Sequence, residues 1–205
     1  MKIVLATGNQ GKLREFKALL AGHGIEVSPQ SDYDFEPPEE TGQSFVENAI
    51  IKARCASKMT GLPALADDSG IAIDALQGQP GIYSARFAGE GASDQDNIDL
   101  VLRKLEGLPK AERSAQFHCV LVYMSHAEDP TPLIFHARWP GSISDRQSGS
   151  EGFGYDPVFW VDDKQCTAAE LTKEEKNKMS HRGQASEALL DKIELIKGSM
   201  LQASS

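Results

Sequence analysis

The apolar run Ile3-Val4-Leu5-Ala6 leads directly into Thr7-Gly8-Asn9-Gln10-Gly11-Lys12, and then into the helical spacing Leu13, Phe16, Leu19, Leu20. Strand, glycine-bearing turn and helix start, in that order, are how α/β proteins build an anion site. Gly8 and Gly11 let the backbone turn sharply and approach a ligand, N–H groups at the helix start point outward with the positive end of the dipole, and Lys12 adds a full charge. Phosphate is the expected guest. The turn is not a P-loop, since two residues separate its glycines instead of four and Leu13 stands where the magnesium-binding hydroxyl belongs. By itself it reads equally well as an ordinary βα connection.

The bulk properties narrow the partners. A net charge of −9 over 205 residues and a pI near 5.0 argue against a protein that coats nucleic acid or an anionic membrane, because both need a basic face. A local basic pocket for one nucleotide stays compatible with that balance. No segment approaches the roughly 20 apolar residues of a membrane span, and residues 1–6 lack the long apolar region of a secretory signal. Cys55, Cys119 and Cys166 are odd in number and lack metal-ligand spacing, so buried thiols in a reducing cytoplasm are expected.

The pattern along the chain predicts a strand at 2–6, a helix at 11–21, a short strand at 25–27 and a loop over the Asp-, Glu- and Pro-rich stretch 31–42. Ser44-Phe45-Val46-Glu47 has capping-box spacing and predicts a helix to about Thr60, stopped by Gly61 and Pro63. Ala64 to Ala75 reads as two short strands joined or interrupted by the acidic turn Asp67-Asp68-Ser69-Gly70. A long functional loop over 77–92 follows, then a helix capped by Ser93-x-x-Asp96 and ended by Gly107. Strands are predicted at 116–125, 133–143 and 157–161, with a closing amphipathic helix at 184–196. Helices alternate with strands early and strands cluster late, which predicts an α/β fold with a mixed sheet flanked by helices, as one domain over 1–197 with a tail over 198–205.

The chemistry concentrates in four places. Asp67 and Asp68 sit among apolar residues, an expensive arrangement unless something positive meets them; a hairpin turn is the plainer reading of the same residues. If the segment is extended, at most one of the two side chains faces a given site. Glu39-Glu40-Thr41-Gly42 precedes the second helix, where carboxylates gain from the helix dipole or supply a metal ligand, with Lys52 on that helix in reach of a phosphate. Gly152-Phe153-Gly154-Tyr155-Asp156-Pro157 pairs flexible backbone with two aromatics, suited to stacking a flat ring or to a β-turn over core aromatics. Lys176 and Ser180-His181-Arg182-Gly183 lie before the last helix, as a charged helix approach or as ligand contacts.

Taken together, Thr7-Gly8-Asn9-x-x-Lys12, Glu40-Thr41-Gly42, Phe45-x-Glu47-Asn48-Ala49 with Lys52-Ala53, Ala66-Asp67-Asp68-Ser69-Gly70, Pro80-Gly81-Ile82-Tyr83-Ser84-Ala85-Arg86, Gly152 to Pro157 and Ser180 to Gly183 resemble the inosine/xanthosine triphosphate pyrophosphatase family over nearly the whole chain. The resemblance implies hydrolysis of ITP, dITP and XTP to monophosphate and pyrophosphate with Mg²⁺, by a homodimer of elongated α/β subunits with the active site in a cleft between two lobes. It implies Asp68 as general base or metal-bound carboxylate and Glu40 as a further metal residue. Thr7, Gly8, Asn9, Gln10, Gly11, Lys12, Lys52, Ser69 and Lys176 are expected around the triphosphate and sugar. Phe153 is expected to stack on the base, with Gly154, Tyr155, Asp156, His181 and Arg182 around it. The competing readings are a pyrophosphatase for modified pyrimidine or methylated nucleotides and a nucleotide sensor without catalysis.

Overall fold

The computed structural model describes residues 1–202. Its thirteen main elements are β1 (Lys2–Ala6), α1 (Gln10–Ala21), β2 (Glu26–Pro29), α2 (Phe45–Thr60), β3 (Ala64–Ile73), α3 (Asp94–Lys104), β4 (Ser114–Met124), β5 (Leu133–Ile143), β6 (Phe159–Val161), β7 (Cys166–Thr167), α4 (Lys173–Met179), α5 (His181–Leu190) and α6 (Ile193–Gln202). The strands form one hydrogen-bonded sheet in the order β2-β1-β3-β4-β5-β6-β7. Its β1 strand pairs in parallel with β2 and β3, while β6 pairs antiparallel with β5 and β7. The sheet is therefore mixed, as the strand pattern predicts.

Local signals place the early helices. Ser44 caps α2 by accepting from the Glu47 N–H, the Glu47 carboxylate takes the Gln43 N–H, and Gly61 ends the helix in the left-handed region. Ser93 and Asp96 form the reciprocal capping box of α3. The acidic segment differs from its predicted turn: β3 runs unbroken through Asp67, Asp68, Ser69 and Gly70. The C-terminal helices differ as well. Thr172 and Glu175 form a capping box that starts α4, which the spacing of apolar residues does not reveal. Ser180 is extended and its hydroxyl accepts the Gly183 N–H, so α5 begins at His181 rather than at 184. Lys192 bonds three residues back to the Leu189 carbonyl, a tightened turn that separates α5 from α6. Residues 198–202 of the expected tail belong to α6, and 203–205 lie outside the described residues.

The chain divides into two compact units. The first comprises residues 1–68, 120–136 and, within the described residues, 185–202. Its core sets Val4 and Ala6 of β1 and Val120 and Val122 of β4 against Ala49, Ala53 and Ala56 of α2. Those three alanines recur on one face of α2 and are fully buried, which lets the helix backbone lie close to the strands. The second unit comprises 69–119 and 137–184. It is packed with larger groups, including Phe117, Trp139 and Phe159, together with Ile71, Ile98, Val101 and Leu105. The Cys119 thiol is buried as expected, whereas Cys55 and Cys166 are only half-buried. Among the described residues no helix is long and apolar enough to cross a membrane.

Candidate functional site

In the first unit the acidic strand is met by lysines from two helices. Alternation along β3 sends neighbouring side chains to opposite faces, and Asp67 ion-pairs with Lys12 of α1 at 2.5 Å while Asp68 takes Lys52 of α2 at 2.8 Å. Lys52 also holds Glu40 at 3.0 Å, so one ammonium draws together a strand carboxylate and a loop carboxylate. That pairing is why two adjacent aspartates survive burial in a strand instead of forming a turn. The loop carrying Glu40 is fixed by Asn48 of α2, whose Oδ1 accepts the Gly42 N–H at 2.8 Å. A Cβ at Gly42 would lie 2.6 Å from that oxygen, so the close approach requires glycine.

Three carboxylates, Glu40, Asp67 and Asp68, thus share two ammoniums, Lys12 and Lys52. Burial pushes the Asp68 carboxyl above the ordinary aspartate value, Lys52 opposes that shift, and Glu40 and Asp67 add to it. For Lys52 burial disfavours the charge, but Asp68, Asp67 and Glu40 together outweigh it and hold the ammonium above its usual value. Asp68 Oδ2 is buried and has no hydrogen-bond partner. An unsatisfied carboxylate oxygen costs free energy unless a donor or cation meets it. Among the described residues no group of three or more His, Cys, Asp or Glu is arranged to hold a metal by itself. An oxygen-only pair such as Glu40 and Asp68 fits Mg²⁺, which is commonly held by one or two carboxylates plus substrate phosphates and water.

The N-terminal turn has a different construction from the one its glycines suggest. Neither Gly8 nor Gly11 is in the left-handed region. Asn9 caps α1, its Oδ1 accepting from the Gly11 and Lys12 N–H groups at 2.8 and 3.1 Å, and Thr7 Oγ1 accepts the Asn9 N–H at 3.2 Å. Two of the N–H groups expected to point outward are therefore occupied by the cap. A Cβ at Gly11 would crowd Asn9 Oδ1 at 3.1 Å, whereas Gly8 borders open space, as does the exposed Gln10. What these glycines provide is an uncovered backbone rather than an unusual φ.

In the second unit the loop 152–156 presents Phe153, 55% exposed, with Lys176 Nζ 5.2 Å and Arg182 Cζ 5.3 Å from its ring centroid. An exposed ring with two cations against it is a ready platform for a flat heterocycle. Lys176 is ion-paired to the buried Asp156, placing this lysine at the aromatic loop. Asp156 also accepts the Phe153 N–H at 2.8 Å, and a Cβ at Gly152, whose φ is +84°, would lie 2.1 Å from that carboxylate. Both the side-chain space and the left-handed backbone demand glycine there. Asp94, absent from the predicted set, accepts the Gly154 N–H at 2.7 Å from the first turn of α3. Tyr155 is buried, its hydroxyl donating to the Ser84 carbonyl. His181 is buried too, its ring stacked on Phe117 at 4.7 Å and 10°. Ser69 is half-buried on β3, next in the chain to Asp68.

Geometry alone defines an α/β protein with a lysine-bound acidic strand and a cation-flanked aromatic platform. The Ham1 family model matches residues 3–192, and the chain belongs to that family. It is 60% identical over 192 residues to a dITP/XTP pyrophosphatase of Yersinia pseudotuberculosis, covering 94% of this chain and 98% of the relative. It is 56% identical over 192 residues to a dITP/XTP pyrophosphatase of Photorhabdus laumondii, with the same coverage. Among solved structures, a HAM1 protein from Coxiella burnetii is 49% identical with a TM-score of 0.89, covering 100% of both chains.

Proposed function

We propose that this protein is a Mg²⁺-dependent pyrophosphohydrolase that converts dITP, ITP and XTP to their monophosphates and pyrophosphate. The observation that carries the reading is the buried Asp68, tied to Glu40 through Lys52 with one carboxylate oxygen left without a hydrogen-bond partner. Membership of the Ham1 family and the names of the close relatives support the substrate class. A protein that only sensed nucleotides would gain nothing from three carboxylates beside a polyanion unless a metal is present, so turnover in the assay below separates the two readings.

Glu40 and Asp68 would hold a Mg²⁺ ion together with substrate phosphate oxygens, an ion that neutralises charge on the triphosphate. Lys12 and Lys52 then stabilise the charge that develops on the phosphates. Asp68, the strand carboxylate with the unpartnered oxygen, takes the proton of the attacking water as general base. Phe153 stacks on the purine, and Arg182 donates to the 6-oxygen of hypoxanthine or xanthine. Adenine bears an amino group at that position and would leave the donor unpaired, which allows discrimination of roughly 10⁴ against ATP.

The test is one assay: purified protein with ITP, dITP, XTP, GTP and ATP, with and without Mg²⁺, products resolved. Pyrophosphate release confined to the deaminated purines and abolished by EDTA is expected. Orthophosphate release, or equal rates on ITP and ATP, would overturn the proposal. In the same assay Lys12→Ala should raise KM and lower kcat together, since the ammonium contacts phosphate in ground and transition states alike. A change in KM only would limit Lys12 to substrate binding.

A further inference from the structure

The segment 80–86 carries an exposed Tyr83 and a single buried polar side chain, Ser84. This turn folds back along β3, with Pro80 bridged to Ala72 and the Gln79 carbonyl accepting the Ile73 N–H at 3.1 Å. Ser84 works in two directions. Its Oγ accepts the buried Ile71 N–H at 2.9 Å and donates to the Gly81 carbonyl at 2.6 Å, so a main-chain donor of β3 is satisfied by a side chain. Its carbonyl accepts the Tyr155 hydroxyl at 2.8 Å, also buried. Tyr155 stands two residues from Phe153 in a loop whose Gly152 and Gly154 both have positive φ. A backbone with two such residues has many alternatives open to it in the absence of an anchor.

We propose that Ser84 and Tyr155 are positioning residues forming a brace in series, from the β3 backbone through the 80–86 turn to the loop that presents Phe153. The inference rests on the base-stacking role given to Phe153 above, and it moves Tyr155 from the edge of the base to the support of the platform. Burial holds the Tyr155 phenol well above its ordinary pKa, with the Asp94 carboxylate adding to the effect, so the hydroxyl stays protonated as the donor that the brace needs. Because substrate binding alone depends on a ready platform, loss of the brace should appear in KM and leave kcat nearly intact.

The experiment compares wild type, Tyr155→Phe, Ser84→Ala, the double variant and Phe153→Ala with ITP as substrate and pyrophosphate as product inhibitor. Tyr155→Phe removes one oxygen from a ring that keeps its packing, and is expected to raise the KM for ITP about three- to tenfold, the order of one lost hydrogen bond. The kcat and the pyrophosphate inhibition constant should stay within about twofold. Ser84→Ala should move KM the same way, and the double variant should be no worse than the stronger single, because either break uncouples the series. Multiplying effects would overturn the brace. Equal losses in KM, kcat and pyrophosphate affinity would overturn it too, by showing general structural damage. If Phe153→Ala raises KM and Tyr155→Phe does not, the brace fails while base stacking stands. If Phe153→Ala leaves KM unchanged, the stacking reading itself fails and takes the brace with it.

Discussion

Replacing Asp68 by Asn is expected to lower kcat by about 10³-fold, within the range for removing a general base, while the apo protein becomes no less stable at neutral pH. The amide keeps an oxygen for Lys52 and removes the charge that burial penalises. The sign of the stability effect follows from the raised Asp68 pKa. An acid whose folded value lies above its unfolded value contributes stability that is fully present below the unfolded value and is lost as pH rises through the folded one. At neutral pH the ionised Asp68 is therefore a liability to the ligand-free fold, and Asn removes it. The melting temperature of the variant should equal or exceed that of wild type at pH 7, and the difference should close in acid, where wild-type Asp68 is protonated. Thermal scans at the two pH values, beside pyrophosphate release from ITP, check both halves. Retained turnover would move the base role to Asp67 or Glu40, and a melting temperature lowered at neutral pH would mean that the ion pair with Lys52 outweighs burial.

Gly183→Ala is expected to destabilise the protein by about 3 kcal/mol, the upper end of the overpacking range. For a chain of this size that corresponds to a fall of roughly 6–12 °C in melting temperature. The glycine is needed for space and not for its φ, which lies outside the left-handed region. A Cβ there would sit 1.7 Å from the Asn177 carbonyl oxygen and 2.8 Å from its carbon. These are backbone atoms of α4, so relief requires the junction of α4 and α5 to move. His181 and Arg182 immediately precede Gly183, hence the KM for ITP should rise along with the loss of stability. Calorimetry of the variant measures the first effect, and a wild-type melting temperature would show that the junction repacks without strain.

The devices that were legible in the sequence are local ones. Ser44 with Glu47 and Ser93 with Asp96 cap helices through atoms three residues apart, and Gly61 stops α2 by its own backbone preference, so nothing distant is needed to recognise them. Thr172 with Glu175 carries the same signal, and α4 was readable on that ground although no apolar periodicity announces it. The N-terminal turn was legible as a strand-to-helix connection, yet its glycines do not act through φ, and Asn9 takes two of the N–H groups that such a turn leaves open to a ligand.

Residues whose meaning depends on a distant partner resolve only in three dimensions. Asp67 to Gly70 have the composition of a turn, and local propensity loses because Lys12 and Lys52, 55 and 16 residues away in sequence, supply the charges that let the carboxylates be buried in a strand. The sequence sets Tyr155 and His181 around the base, and only the fold shows that the Tyr155 hydroxyl donates to the Ser84 carbonyl and that the His181 imidazole stacks on Phe117. The α/β alternation, the helix caps and the family resemblance can be read from residue order alone, since they rest on spacing and on short-range hydrogen bonds. The burial of Asp67 and Asp68 against Lys12 and Lys52 and the exposure of Phe153 emerge only in the folded chain, because burial and charge pairing are set by groups brought together from far apart.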